Sequence, residues 1–168
     1  MKYLLDCDGV LCDFVSGAIQ VHRIQNYSHD DVKHWDFFQD WGMSADKFYN
    51  WCRGYEFWFN LKPYDWAAWL VEEIGLDNFI ISTAPTMDPT CVQAKLDWLY
   101  WHFKIKISEV MVGSRKELMA KSGLVLIDDS PKNVEKFREH GGNALLFPQP
   151  WNGGDERKRI EFFTLLAD

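Results

Sequence analysis

Four acidic residues carry the chemistry this sequence can do. Asp6 and Asp8 stand two apart in Asp6-Cys7-Asp8-Gly9, and Asp128 and Asp129 are adjacent before Ser130-Pro131. Two hydroxyls, Ser82 and Thr83, fall between the pairs in chain order. Four carboxylates brought together repel one another and raise each other's pKa. A divalent cation relieves that, and an all-oxygen donor set is hard, which points to Mg²⁺ rather than zinc. Asp6, Asp8, Asp128 and Asp129 are therefore the candidate metal residues. Each fragment alone is weak evidence. An Asp-x-Asp near a turn is common in loops, and an acid pair before Ser-Pro can be a helix N-cap. Their combined position along the chain gives the pattern its weight.

That position depends on the elements around them. Lys2–Asp6 is a short apolar run ending in acid and reads as a buried strand. Residues 78–82 and 109–112 are further strand candidates, and 144–147 is a last one. Residues 124–127, Leu-Val-Leu-Ile, form the most strand-like run of all, and the second acid pair follows directly. Helices are expected over 13–25, up to Gly75, from the Asp88 N-cap and Pro89 to Phe103, and from Pro131 to His140. Ser114 is expected to cap a short helix ended by Gly123, and the tail from Asp155 reads as helical. Strands alternating with helices imply βαβ units and a parallel sheet. Ligands of such sheets bind outside the carboxyl ends of the strands, where both acid pairs and the hydroxyls would meet.

Residues 27–63 break this rhythm. They are rich in Trp, Phe and Tyr and contain no clear strand. The expected organisation is a main domain of 1–26 and 64–168 with a small aromatic helical cap of 27–63 inserted after the first strand and helix. Most of these rings should be core. An insertion this small has little core of its own, however, so some should face the main domain or a ligand.

The DCDGVLCDF start, Ser82-Thr83, a later lysine and LVLIDDSPKNV resemble the four motifs of the haloacid dehalogenase-like (HAD) phosphohydrolase superfamily. Within it the chain resembles the 5'(3')-deoxyribonucleotidases, through the STAP segment, Lys95-x-x-Trp98 and LFPQPWN. The resemblance covers nearly the whole chain. It implies an α/β, Rossmann-like parallel sheet flanked by helices, and a Mg²⁺-dependent phosphomonoesterase with a covalent mechanism. Asp6 is then the nucleophile and Asp8 the acid and base. Asp128 and Asp129 complete the metal shell, one directly and one through water, and Asp8 adds its backbone carbonyl. Thr83, with Ser82 as the second candidate, donates to the phosphoryl group. Lys116 is placed at the phosphoryl group and Lys95 in a supporting role. Phe14 matches a position near the substrate base, and Trp35, Trp58 and Phe59 are candidates for stacking a base or shaping the sugar pocket. The family commonly has Ser after the motif Thr, where this chain has Ala84.

The expected substrate is a small phosphomonoester, above all a deoxynucleoside monophosphate. Rival readings are phosphatase action on another small metabolite and a silent member that binds a nucleotide or a protein. The net charge of −7 argues against duplex nucleic acid, which needs a basic footprint. Four scattered Cys with no CxxC suggest reduced thiols in a cytoplasmic protein. Acids interrupt the early apolar stretch, so no signal peptide is expected. No run approaches 18 apolar residues, so no membrane span is expected either. Exposed cap aromatics could instead serve a homodimer.

Overall fold

The computed structural model describes residues 2–75, 79–83 and 88–167, with the backbone alone for 79–81 and 83. Among the described residues five strands form one sheet: β1 (Lys2–Asp6), β2 (Phe79–Thr83), β3 (Val110–Val112), β4 (Leu124–Asp128) and β5 (Asn143–Leu146). Their spatial order is β3-β2-β1-β4-β5, and every pairing is parallel. The chain builds outward from β1 in one direction, then crosses back and builds in the other. That reversal opens a crevice at the carboxyl ends of β1 and β4.

Side chains alternate across the strands. Leu5 and Ile127 enter the larger core, while Leu4, Leu124 and Leu126 enter a second core with Val134 and Phe137. Covered on both faces, β4 is buried along its whole length, which is why its sequence is an unbroken apolar run. Among the described residues there are seven helices: α1 (Phe14–Val21), α2 (Ala45–Trp51), α3 (Tyr55–Phe59), α4 (Ala67–Ile74), α5 (Pro89–Phe103), α6 (Pro131–Glu139) and α7 (Glu156–Ala167). Asp88 accepts from the Thr90 amide and Ser130 from the Asn133 amide, each just before a proline in the first turn.

Two elements differ from the sequence expectation. The helix expected over 13–25 stops at Val21. Arg23 turns left-handed with φ 55°, the Ile24 amide reaches Ile19 O, and the Arg23 amide reaches Gln20 O. This is a Schellman closure with arginine where glycine is usual. The helix expected from Ser114 is a tight 3-10 turn, Lys116–Met119.

Residues 27–63 hold α2, α3 and two 3-10 turns, His29–Asp31 and Phe37–Gln39. Phe48 is the hub of their packing. Its ring contacts Phe38 at 4.9 Å, Phe37 at 5.5 Å, His22 at 5.0 Å and Phe14 at 6.1 Å between centroids. The stretch shares one continuous core with the main sheet instead of forming its own. Helix α3 packs against α5, and the Trp98 indole on α5 donates to Leu61 O at 2.7 Å.

Candidate active site

Asp6 ends β1, and its register partner on β2 is Ser82. Asp128 ends β4, and Asp129 follows it. The parallel register therefore delivers Asp6, Ser82, Asp128 and Asp129 to one edge. All four are buried. Ligand oxygens of Asp6, Asp128 and Asp129 lie within 4.8 Å of one another. The side chain of Thr83, and Ala84 as a whole, lie outside the described residues.

Two buried lysines enter this acidic edge. Lys116, projected by the 3-10 turn, bridges Asp6 Oδ1 at 2.6 Å and Asp128 Oδ2 at 2.7 Å. Lys95, from α5, pairs with Asp8 Oδ2, and its ammonium lies 4.7 Å from the centre of the Trp58 ring. Burial pulls both ammoniums toward neutrality, but the facing carboxylates outweigh it and hold both pKa values above the usual lysine range. Asp128 also accepts from the Ser130 amide and from Asn133 Nδ2.

The charges do not balance. Four carboxylates face two ammoniums. Among the described residues Asp129 has no ion-pair partner, and Asp8 Oδ1 is buried without a hydrogen bond. Burial pushes Asp6 up first; Lys116 pulls it back, and Asp128 and Asp8 push again, leaving its pKa at about 7. Burial, then Asp128 and Asp6, drive Asp129 well above the carboxylate range. One divalent cation would cancel the excess of two negative charges and favour the ionised acids. The donor set is all oxygen, so the residues fit a hard cation such as Mg²⁺.

The loop after β1 is shaped to this cluster. Gly9 is left-handed at φ +76°, and a Cβ there would lie 2.5 Å from Asp129 Oδ2. Only glycine brings the backbone so close to that carboxylate.

The expected substrate aromatics divide. Phe14 is buried, stacked between Trp58 at 5.5 Å and Trp35 at 5.9 Å. Trp58 is buried as well, and Trp35 is 38% exposed. Phe59 instead stacks on Tyr55, whose hydroxyl donates to Asp97 on α5. Among the described residues it has no ring contact with Phe14, Trp35 or Trp58. Four polar partners of the cluster lie in the LVLIDDSPKNV and LFPQPWN segments but carry no role assigned from sequence: Asn133 on Asp128, Trp151 and Asn152 on Asp129, and Gln149 on Gly9 O. The last three sit just beyond β5, at the same carboxyl edge, and that position was the available signal.

A parallel sheet of this order, with buried acids at the ends of β1 and β4 and a lysine between them, defines a HAD-type hydrolase. The fold matches solved members of that class. A dehalogenase with an intermediate complex aligns with TM-score 0.58 at 12% identity, over 99% of this chain and 97% of that one. A HAD family hydrolase from Deinococcus radiodurans, with bound phosphate and sodium, aligns at 0.56 and 17%, over 89% and 83%. A HAD family enzyme from Bacteroides thetaiotaomicron, in a magnesium complex, aligns at 0.50 and 12%, over 95% and 97%. No curated protein matches the chain. The chain belongs to the 5' nucleotidase, deoxy (pyrimidine), cytosolic type C protein family (NT5C), whose model matches residues 1–162. It is a phosphoric monoester hydrolase of the 5'-nucleotidase type. Among the described residues no helix is long and apolar enough to cross a membrane.

Proposed function

We propose that this protein is a cytoplasmic, Mg²⁺-dependent enzyme that hydrolyses deoxynucleoside monophosphates to nucleoside and phosphate. The observation that carries the reading is the meeting of buried Asp6, Asp128 and Asp129 and half-buried Asp8 with the buried Lys116 and Lys95. Asp6, Asp128 and Asp129 would hold the metal with the Asp8 backbone carbonyl. Bound there, Mg²⁺ supplies charge that keeps Asp6 ionised and lets two anions approach.

Asp6 attacks phosphorus and forms an acyl phosphate, as Asp8 passes a proton to the departing ester oxygen. The nucleoside leaves. Asp8 then takes a proton from water, which attacks phosphorus and frees Asp6. Lys116, already bonded to Asp6, fixes the nucleophile and faces the incoming phosphoryl group. Lys95 holds Asp8 by one oxygen and leaves the other for the leaving group. Thr83 and Ser82 donate to phosphoryl oxygens. Residues 27–63 act as a cap, with Phe14, Trp58 and Trp35 shaping the nucleoside end. The family description supports the deoxy and cytosolic parts of this reading.

The test is phosphate release from 5'- and 3'-deoxynucleotides, ribonucleotides and phosphosugars, with Mg²⁺ and an Asp6→Asn control. Selective release from deoxynucleotides is expected. Release from phosphosugars alone would contradict the nucleotide assignment.

A further inference from the structure

Asp129 is the acid that neither lysine reaches, and a neutral group holds it instead. The Trp151 indole N–H donates to Asp129 Oδ2 at 2.6 Å, and both residues are buried. Asn152 Nδ2 donates to the Asp129 carbonyl at 2.7 Å and to Phe147 O at 2.8 Å. Gln149, fully buried, donates through Nε2 to Gly9 O, on the loop that packs against the same carboxylate. One short segment after β5 therefore grips both sides of the acidic edge. The segment is itself stiff: a 3-10 turn, Pro150–Asn152, starts on proline and ends at left-handed Gly153.

Trp151 also faces residues 27–63. Its ring meets His29 at 5.3 Å and Trp35 at 5.6 Å, both edge to face. Trp35 in turn stacks on Phe14, and His29 bonds the Tyr64 hydroxyl. Lys95 makes a comparable bridge, pairing with Asp8 and lying over Trp58, but Trp151 makes its bridge at Asp129, which has no ion-pair partner among the described residues.

We propose that Trp151 is a positioning residue: its indole N–H orients Asp129 for metal binding, and its ring passes the placement of Trp35 and His29 to that carboxylate. The inference rests on reading the edge as a metal site. An indole N–H is a suitable partner, because it fixes the carboxylate without adding a positive charge that would oppose the cation. Groups that orient metal ligands in this way change metal affinity by about 10–100-fold when removed.

The experiment is binding of Mn²⁺ alone, followed by electron paramagnetic resonance, to the wild type, Trp151→Phe and Trp35→Leu. Phenylalanine keeps a ring in place and deletes only the donor. Binding about 10-fold or more weaker in Trp151→Phe, and a smaller loss in Trp35→Leu, is the expected result. Phosphate release should then recover as Mg²⁺ is raised, so that the metal requirement shifts more than kcat. Unchanged Mn²⁺ affinity in Trp151→Phe overturns the positioning role while leaving the phosphatase reading intact. Unchanged affinity in Trp35→Leu alone overturns the link to the aromatic stretch. No Mn²⁺ binding by the wild type overturns the metal reading and this proposal together. Should Trp151→Phe not fold, the wild type carries the test by NMR. An assigned Trp151 indole resonance that moves with Mg²⁺ occupancy supports the role, and one that stays still overturns it.

Discussion

The carboxyl edge of the sheet and the packed rings of residues 27–63 both contain buried side chains, but opposite forces hold them. At the edge, Lys116 bridges Asp6 and Asp128 and Lys95 pairs with Asp8, and each pairing leaves a charge uncompensated if one partner goes. In 27–63, Phe48 alone touches Phe14, His22, Phe37, Phe38, Trp41 and Tyr49, so packing is shared among many rings. Energy at the edge is concentrated in single atoms, and energy in the stretch is spread over surfaces. The first region should lose function before fold, and the second should lose fold before function.

Asp6→Asn is the sharpest break. Its shape is kept and Lys116 retains Asp128, so circular dichroism should be unchanged. Single-turnover phosphate release should fall by about 10⁴-fold or more, the scale seen when a nucleophile is removed. Near-normal release would remove Asp6 from that role. In the other region, Phe48→Ala should cost about 3–5 kcal/mol of stability in denaturant unfolding, because a fully buried ring leaves a cavity. A cost near zero would mean that the neighbouring rings close over the gap.

The difference also explains what could be read from sequence. The strands that end in acid were legible because a short apolar run followed by aspartate has few other uses, and β4 shows this most plainly. The caps at Asp88-Pro89 and Ser130-Pro131 were legible for the same local reason. The end of α1 was not, because Arg23 takes a conformation usually marked by glycine. The tight turn at Lys116 was not, because 3-10 and α-helical turns share their starting residues. The roles of single rings in 27–63 were hidden too: composition cannot separate Phe14, buried between two tryptophans, from Phe59, which stacks elsewhere. Trp151 and Gln149 were hidden for a third reason. Their hydrogen bonds span 22 and 140 residues, beyond any local pattern.

Smaller perturbations sharpen the contrast. Lys116→Met removes the cation shared by Asp6 and Asp128 and should destabilise the protein by about 3 kcal/mol. Divalent metal should restore part of that loss in a thermal melt. Gly9→Ala forces a left-handed alanine against Asp129 and should cost about 1–2 kcal/mol in the same melt, with a larger fall in phosphate release. Equal stability with the wild type would show that Asp129 can move aside freely. Trp51→Ala should change stability by no more than about 0.5 kcal/mol, since that ring is 57% exposed. A large loss there would show that the aromatic stretch depends on its surface rings as well.

The central claim is that Asp6 becomes phosphorylated. It is tested most directly by acid quenching during turnover of a deoxynucleoside monophosphate carrying radioactive phosphorus, then mapping the labelled peptide. The expected result is an alkali-labile label on the peptide containing Asp6, absent from Asp6→Asn. Full turnover with no covalent label, or a label on another residue, would contradict it.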